Sequence, residues 1–379
     1  KPPQPLAPPV LPPTTSCLHR PMKLLLCALA LAPRGEGHGN MQLPHAWWDP
    51  LGRVGATPGS QCTVGCSGRT PPGAVEPMTE HCGCEWYTNH TFIPGEATIP
   101  RSSPLRTYQD WNFGSGPVDW TAKMPWRAPG TAPILSPCGV DGGNLQGCPA
   151  GNPSPHGCAG GGYGHGPDAR EFYPKFLHPR TTEWTAGSVV EAAWAITANH
   201  GGGYSYRLCK RPERMTDLSE ECFQRTVLDF AGEEQWVQYG FGRRTAFPAM
   251  RTKEGTFPKG SHWTRNPIPA CMGPGGGSCA GSHLQCGTGP WGNETAGAGV
   301  QFPPPFAYGY GFGTNDPSLP GGKAGGKFQW SIVDHLQVPK DLAPGDYVLS
   351  FRWDCEQTSQ VWNTCANVRV TEEKPSLVV

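Results

Sequence analysis

The fold is decided by residues 345–356, which read GDYVLSFRWDCE. Apolar and polar side chains alternate along this stretch, and an alternation of period two is typical of a β-strand with one face against a core. The residues on one face are Tyr347, Leu349, Phe351, Trp353 and Cys355. The aromatic character of this face indicates a strand that is packed deeply inside a domain.

Similar stretches surround this strand. Residues 327–338 and 360–371 also alternate, and turn sequences (PGD at 344–346, QTS at 357–359) separate the three. Two earlier stretches, 188–198 and 202–209, are predicted to be a strand pair. We therefore predict an all-β protein: an immunoglobulin-like or fibronectin-like antiparallel β-sandwich with long loop insertions stapled by disulfides.

The composition supports long loops and few helices. The chain of 379 residues contains 52 Gly and 44 Pro and only 16% charged residues, which leaves few stretches able to sustain a helix beyond a short one at residues 212–224. The 30 basic and 30 acidic residues give a net charge of zero, and no basic run is present. Nucleic acid and anionic membrane are therefore not expected as partners.

The N-terminal part resembles a secretion signal. Met22 and Lys23 precede an apolar run at 24–32 (LLLCALALA), which has the length of a signal-peptide core and is too short to span a bilayer. Small residues follow, so we predict a signal core at 22–37 and cleavage before His38. Secretion to the extracellular space is the expected localisation.

These boundaries divide the chain into three parts. Residues 1–37 comprise the signal peptide and a Pro-rich upstream segment, 1–21, which is either over-extended translation or a disordered segment. Residues 38–372 are predicted to be the functional domain, and residues 373–379 a C-terminal tail.

The cysteines agree with secretion. Of the 16 Cys, Cys17 and Cys27 precede the predicted cleavage site, and the remaining 14 suit seven disulfides in an oxidising compartment. The close pairs at 62–66 and 82–84 could instead bind zinc, although disulfides are favoured in a secreted protein. Asn89 and Asn293 begin glycosylation motifs (NHT and NET), which predicts exposed loops and a glycoprotein.

A histidine at a free N-terminus is a metal-binding group. The α-amine and the ring of His38 can chelate one ion, because the amine releases its proton readily. His200 lies in the glycine-rich segment 199–203 (NHGGG), which we interpret as a turn at a sheet edge that leaves the imidazole uncovered. Taken alone, His200 also fits an ordinary exposed turn histidine, and His156 and His165 fit either flexible loop residues or a second metal site.

Four segments together resemble the lytic polysaccharide monooxygenases of the chitin-binding type-4 class, in the secreted animal-type branch. They are His38-Gly39 and residues 199–209 (NHGGGYSYRLC), 345–349 (GDYVL) and 360–368 (QVWNTCANV). Each is short, and their order and placement across the mature chain carry the resemblance. It implies a histidine brace in which the amine and ring nitrogens of His38 and the ring of His200 hold one copper ion.

This resemblance implies a reaction as well as a cofactor. Three nitrogen donors suit Cu(II) and leave positions open for an oxidant. The implied enzyme is a secreted oxidoreductase and monomer that takes electrons from an external donor, uses O2 or H2O2, and cleaves an insoluble β-1,4-linked polysaccharide by oxidation at C1 or C4. Chitin is favoured over cellulose on resemblance alone.

Three positions on the last predicted strand bear on the site. The family places Tyr or Phe near the copper axis with Glu or Gln two residues earlier, and this chain has Gln360 and Trp362 there. Trp362 is therefore expected to be either an apolar axial shield and an exit for oxidising equivalents, or a core residue if the register slips. Asn367 stands where the family often has Asp.

Aromatic residues near the predicted N-terminus suggest contact with substrate. Trp47 and Trp48 are candidate platforms for sugar rings, with packing against the sandwich as the alternative. Trp194 and Trp353, inside alternating strands, are predicted to be core residues.

Two other classes of function compete with the monooxygenase. A non-catalytic protein of the same fold would bind polysaccharide or copper without oxidation. A hydrolase is disfavoured because no pair of carboxylates has an evident catalytic context.

Overall fold

The computed structural model describes residues 39–47, 86–105, 121–145, 164–166, 168–171, 180–196, 200–238, 244–267, 331–356 and 358–372. All of them belong to one compact unit, Gly35–Val379. The predicted signal peptide and His38 lie outside the described residues, so the predicted domain boundaries remain predictions.

Strands dominate the described residues. They are β1 (Gly39–Leu43), β2 (Trp86–Thr88), β3 (Val140–Asp141), β4 (Gly143–Leu145), β5 (Gly164–Gly166), β6 (Thr181–Thr185), β7 (Val189–Ile196), β8 (Gly203–Lys210), β9 (Asp229–Phe230), β10 (Glu234–Gln238), β11 (Arg244–Pro248), β12 (Arg251–Thr252), β13 (Trp263–Arg265), β14 (Ser331–Gln337), β15 (Gly345–Asp354) and β16 (Val361–Thr371). The long alternating stretches of the sequence become β7, β8, β14, β15 and β16, as predicted.

Helices in the described part of the chain are few and short. The predicted helical stretch contains a 3-10 turn (Met215–Asp217) and one α-helix, α1 (Glu220–Gln224), and Pro125–Arg127 forms another 3-10 turn. Ser219 caps α1 by accepting a hydrogen bond from the backbone N–H of Cys222, so the helix begins at a favourable N-cap residue. Across the described ranges, no helix combines the length and the apolar character needed to cross a membrane.

The strands form two large sheets. In the described residues the first sheet has the order β1-β7-β14-β10-β11, with β9 also paired to β14. The second has the order β12-β13-β8-β15-β16-β2-β3, and β6 joins it by parallel pairing with β16. The other pairs in these two sheets are antiparallel, while β4 and β5 form a small separate parallel pair.

The two sheets pack face to face around an aromatic core. Trp194 on β7 contacts Tyr204 on β8 and Phe351 on β15, with ring centroids 4.8 and 5.2 Å apart, so aromatic rings join the sheets directly. Trp353 belongs to the same buried cluster. This confirms the immunoglobulin-like β-sandwich, and Trp194 and Trp353 are core residues as predicted.

The connection between β7 and β8 differs from the prediction. β7 pairs with β1 and β14 in the first sheet, whereas β8 pairs with β13 and β15 in the second. The segment that contains His200 therefore crosses from one layer to the other, and the predicted strand pair joined by an edge turn is wrong. Alternating strands do not disclose their partners, because neighbours in sequence can belong to either sheet of a sandwich.

The second face of β15 is also buried. Arg352 forms hydrogen bonds through Nε with Asp354 at 2.7 Å and through Nη1 with Glu220 of α1 at 2.8 Å. Asp354 in turn accepts a hydrogen bond from the backbone N–H of Gly130 at 2.9 Å. This network of charges fixes the loop around residue 130 and helix α1 against the second sheet.

Two disulfides are present among the described residues, Cys138–Cys365 and Cys209–Cys222. Cys355, in contrast, is a buried free thiol, and burial raises its pKa well above the usual value. The expectation that the 14 cysteines after the signal form seven disulfides is therefore wrong at Cys355.

We expect the Cys209–Cys222 bridge to stabilise the attachment of α1 to β8. The two residues are 13 apart in sequence, and closing a loop of this size in the unfolded chain is worth about 3 kcal/mol. The double substitution Cys209→Ala and Cys222→Ala should lower the free energy of unfolding by about that amount in urea denaturation followed by circular dichroism. A loss below about 1 kcal/mol would contradict a stabilising role for the bridge.

Candidate functional site

His200 lies at the crossing between the two sheets. Its carbonyl oxygen accepts a hydrogen bond from the backbone N–H of Glu356 at 3.1 Å, just beyond the end of β15. The next two residues, Gly201 and Gly202, have φ of 64° and 77°, a conformation that side chains other than glycine rarely adopt. At Gly202 a Cβ atom would lie 2.1 Å from the carbonyl oxygen of Asp354, so glycine is required there.

The imidazole of His200 packs on the indole of Trp353. The rings are nearly parallel, with centroids 6.2 Å apart and an interplanar angle of 18°. The indole N–H of Trp353 donates to the carbonyl oxygen of Gly201 at 2.8 Å, which holds the His200 backbone against the same residue. Trp353 therefore orients both the side chain and the main chain of this segment.

The exposure of His200 differs from the prediction. The residue is 4% exposed, so the expectation of an uncovered histidine on a surface turn is wrong. Burial lowers the pKa of His200 from 6.5 to about 3, because the charged imidazolium loses its hydration inside the protein. The imidazole is consequently neutral at physiological pH, the form in which histidine binds metals.

The start of β1 meets the same indole. Gly39 pairs with Ile196 at the end of β7, four residues before His200. A Cβ atom on Gly39 would lie 2.7 Å from Cζ3 of Trp353 and 3.2 Å from Cζ3 of Trp194, so only a residue without a side chain fits here. The backbone of residue 39 and the imidazole of His200 therefore both contact Trp353.

The residues present suit a copper ion in their donor chemistry. A neutral imidazole is a suitable ligand for copper, and the amine and ring of an N-terminal histidine would add two more nitrogens. The described residues contain no group of three or more His, Cys, Asp or Glu side chains that would hold a metal by themselves. A metal at His200 would therefore need donors from outside the described ranges, where His38 lies.

Gln360 and Trp362, the two candidates from the last predicted strand, have neighbours of their own among the described residues. The side-chain oxygen of Gln360 accepts a hydrogen bond from Oγ1 of Thr358 at 3.1 Å, within its own turn. Trp362 is fully buried and stacks on Tyr87, with centroids 4.3 Å apart, and its ring lies 6.4 Å from that of Trp353. Trp353 thus stands next to His200 and also next to Trp362.

Trp353 is the site residue that the sequence analysis missed. It was predicted to be in the core and is fully buried, yet it also contacts the candidate ligand. The pairing register of the last two strands could have indicated this role, because Trp353 lies directly opposite Trp362. Residues opposite each other in an antiparallel pair share a face, so one indole near the site implied the other.

The burial of Trp47 favours the packing alternative over a platform for sugar rings. Trp47 is 2% exposed, and its indole N–H donates to Oδ1 of Asn367 at 2.9 Å. This bond joins the segment after β1 to β16 and gives Asn367 a structural role. Trp48 lies outside the described residues.

The other predicted positions fall in two groups. Asn89, just after β2, is 5% exposed, so the expected exposed loop is wrong at this position, and its glycosylation remains only a prediction. The side chain of His165, on β5, is not described, and His156 and Asn293 lie outside the described residues.

No family model matches the chain. Similar solved structures include a Bacillus amyloliquefaciens CBM33 protein in complex with Cu(I), at 11% identity and a TM-score of 0.22, covering 51% of this chain and 56% of that one. Another is the AA15 lytic polysaccharide monooxygenase from Thermobia domestica in the Cu(I) state, at 14% identity and 0.22, covering 50% and 62%. A chitin binding domain from Burkholderia pseudomallei matches at 9% identity and 0.32, covering 88% and 99%.

The chain spans about three fifths of the length of the Bacillus amyloliquefaciens and Thermobia domestica proteins. At these TM-scores the likeness carries no argument about the site, which rests on the positions of Gly39, His200 and Trp353.

The buried state of His200 predicts a particular pH dependence in metal-free protein. Between 6.5 and about 3, the unfolded chain binds a proton at this residue and the folded protein does not. The free energy of unfolding should therefore fall as pH is lowered through this range, by about 1.4 kcal/mol per pH unit from this group. Urea denaturation should show a shallower fall for His200→Gln, whereas equal slopes would contradict a buried neutral His200.

The packing of Trp47 also leads to a test. Trp47→Ala should cost about 3–5 kcal/mol because it empties a core position. Phe92→Ala is the matched control, since Phe92 is 42% exposed and its truncation should change stability by less than about 0.5 kcal/mol. Trp47→Phe should leave adsorption to chitin unchanged, because the ring is buried. Weaker adsorption by a folded Trp47→Phe protein would instead support contact between Trp47 and the sugar rings.

Proposed function

We propose that this protein is a secreted, copper-dependent lytic polysaccharide monooxygenase that cleaves an insoluble β-1,4-linked polysaccharide, with chitin ahead of cellulose. The observation that supports it is the meeting of Gly39 and His200 on one indole, Trp353. Consecutive Cα atoms are about 3.8 Å apart, so the chain itself keeps the Cα atom of His38 about that far from the Cα atom of Gly39.

The proposed ligands are the amine and ring nitrogens of His38 and the ring of His200. Copper bound there would supply the activation of O2 or H2O2 that oxidation of a sugar at C1 or C4 requires. The chain itself supplies a neutral imidazole at His200, held in orientation by Trp353, and a side-chain-free Gly39 that lets the N-terminal segment approach the same ring. An external electron donor and a polysaccharide surface are the proposed partners.

Copper affinity should depend on the processing of the N-terminus. A protein that begins at His38 should bind Cu(II) more tightly than one that retains Gly37, because the extra residue converts the amine ligand into an amide. Loss of an outer-shell partner already costs about 10- to 100-fold in metal affinity, so loss of a ligand should cost at least as much. Calorimetric titration measures the difference, and equal affinities would exclude the brace.

The reaction is tested with copper-loaded protein, chitin, ascorbate and peroxide. We expect oxidised oligosaccharides in the mass spectrum, and their absence for His200→Gln, which removes the imidazole and keeps a polar side chain. Tight copper binding without oxidised product in the unaltered protein would instead support the non-catalytic alternative. Cellulose in place of chitin identifies the preferred polymer.

A further inference from the structure

A carboxylate lies inside the aromatic core, away from the candidate metal site. Asp334, on β14, is fully buried between the sheets. Its Oδ2 accepts a hydrogen bond from the phenol of Tyr204 at 2.8 Å, and its Oδ1 accepts one from Nε2 of Gln235 at 2.8 Å. The same Nε2 donates to the phenol oxygen of Tyr204 at 2.6 Å, which closes a triangle of three polar groups.

This triangle is costly for a core. Moving a carboxylate out of water costs several kcal/mol, and apolar residues of similar volume often replace such groups without loss of stability. Burial accordingly raises the pKa of Asp334 to about 6, although hydrogen bonds from Gln235 and Tyr204 and the charges of Arg251 and His335 lower it. Asp334 is therefore a stronger base than an ordinary aspartate, and its partner is a phenol.

A continuous series of aromatic rings joins this phenol to the His200 segment. The Tyr204 ring lies 4.8 Å from Trp194, and Trp194 lies 5.2 Å from Trp353. Trp353 in turn stacks on His200 at 6.2 Å. Each ring contacts the next, so an electron can pass from Tyr204 to either indole over short distances.

We propose that Tyr204 is a redox-active tyrosine and that Asp334 accepts its proton. A high-potential one-electron oxidant, such as a photo-oxidised ruthenium(III) complex, takes one electron from Trp353 and is itself reduced by one unit. Trp353 regains this electron from Trp194, which becomes a radical cation. Tyr204 then gives one electron to Trp194, which returns to the neutral indole, and becomes a neutral phenoxyl radical. The phenol O–H bond breaks, and an O–H bond forms at Oδ2 of Asp334, so the carboxylate becomes a carboxylic acid.

Gln235 serves as a positioning residue in this step. Its Nε2 donates to the phenol oxygen that loses the proton and to Oδ1 of the carboxylate whose Oδ2 accepts it, so one amide holds the phenol and the carboxylate together. The neutral products leave no new charge in the core, which favours the transfer because an unpaired buried charge is costly.

The protein contains a matched control at Tyr206. This residue is two positions further along β8, is also fully buried, and lies 6.0 Å from Tyr204. Among the described residues its hydroxyl has no hydrogen-bond partner. Oxidation of Tyr206 therefore lacks a proton acceptor, although its ring has nearly the same surroundings.

The test uses metal-free protein, so its outcome does not depend on the proposed copper chemistry. A ruthenium polypyridyl complex, photo-oxidised to ruthenium(III), provides the one-electron oxidant, and freeze-quenched samples are examined by electron paramagnetic resonance. A fluorinated tyrosine is incorporated at position 204 or at position 206. Fluorine splitting of the tyrosyl signal is expected for position 204 and not for position 206.

Two substitutions complete the test. Tyr204→Phe should remove this tyrosyl signal and leave a tryptophan radical, while Tyr206→Phe should retain it. Asp334→Asn keeps the side-chain shape but removes the base, so it should also suppress the signal while its thermal unfolding confirms a folded protein. A fluorine-split signal from position 206, or a full signal in Asp334→Asn, would overturn the proposal.

Discussion

The structure around the candidate site depends on the packing of one indole, that of Trp353. Its faces and edges meet Gly39 from β1, His200 from the crossing segment and Trp194 from the opposite sheet. Its N–H fixes the carbonyl oxygen of Gly201. This ring therefore gives the N-terminal strand and the His200 segment a common surface.

Periodicity was sufficient to predict the long strands and the class of fold. The stretch that became β15 shows why: its aromatic face has no stable position outside a core, and the turn residues at 344–346 mark where the strand begins. Periodicity did not reveal which sheet each strand joins. Pairing depends on contacts between residues far apart in sequence, as in β14 with β7, and the error at the β7–β8 connection followed from this.

The alternating pattern also gave the wrong exposure for the polar face of β15. Ser350, Arg352 and Asp354 read as solvent-facing positions, yet all three are fully buried. Loops from distant parts of the chain cover them and supply partners, such as the backbone N–H of Gly130 and the carboxylate of Glu220. Likewise, nothing local distinguishes an exposed Trp47 from one bound to Asn367, which is 320 residues away. The chemical identity of the candidate ligands was readable from the sequence, but their environment was not.

The crossing between β7 and β8 has a mechanical consequence. Gly39 belongs to the first sheet through its pairing with Ile196, whereas the indole that it contacts belongs to the second. Any shear of one sheet over the other would therefore change the spacing between the N-terminal strand and His200 directly. The spacing between the N-terminal strand and His200 therefore stays constant only if the aromatic core prevents the two sheets from sliding over each other.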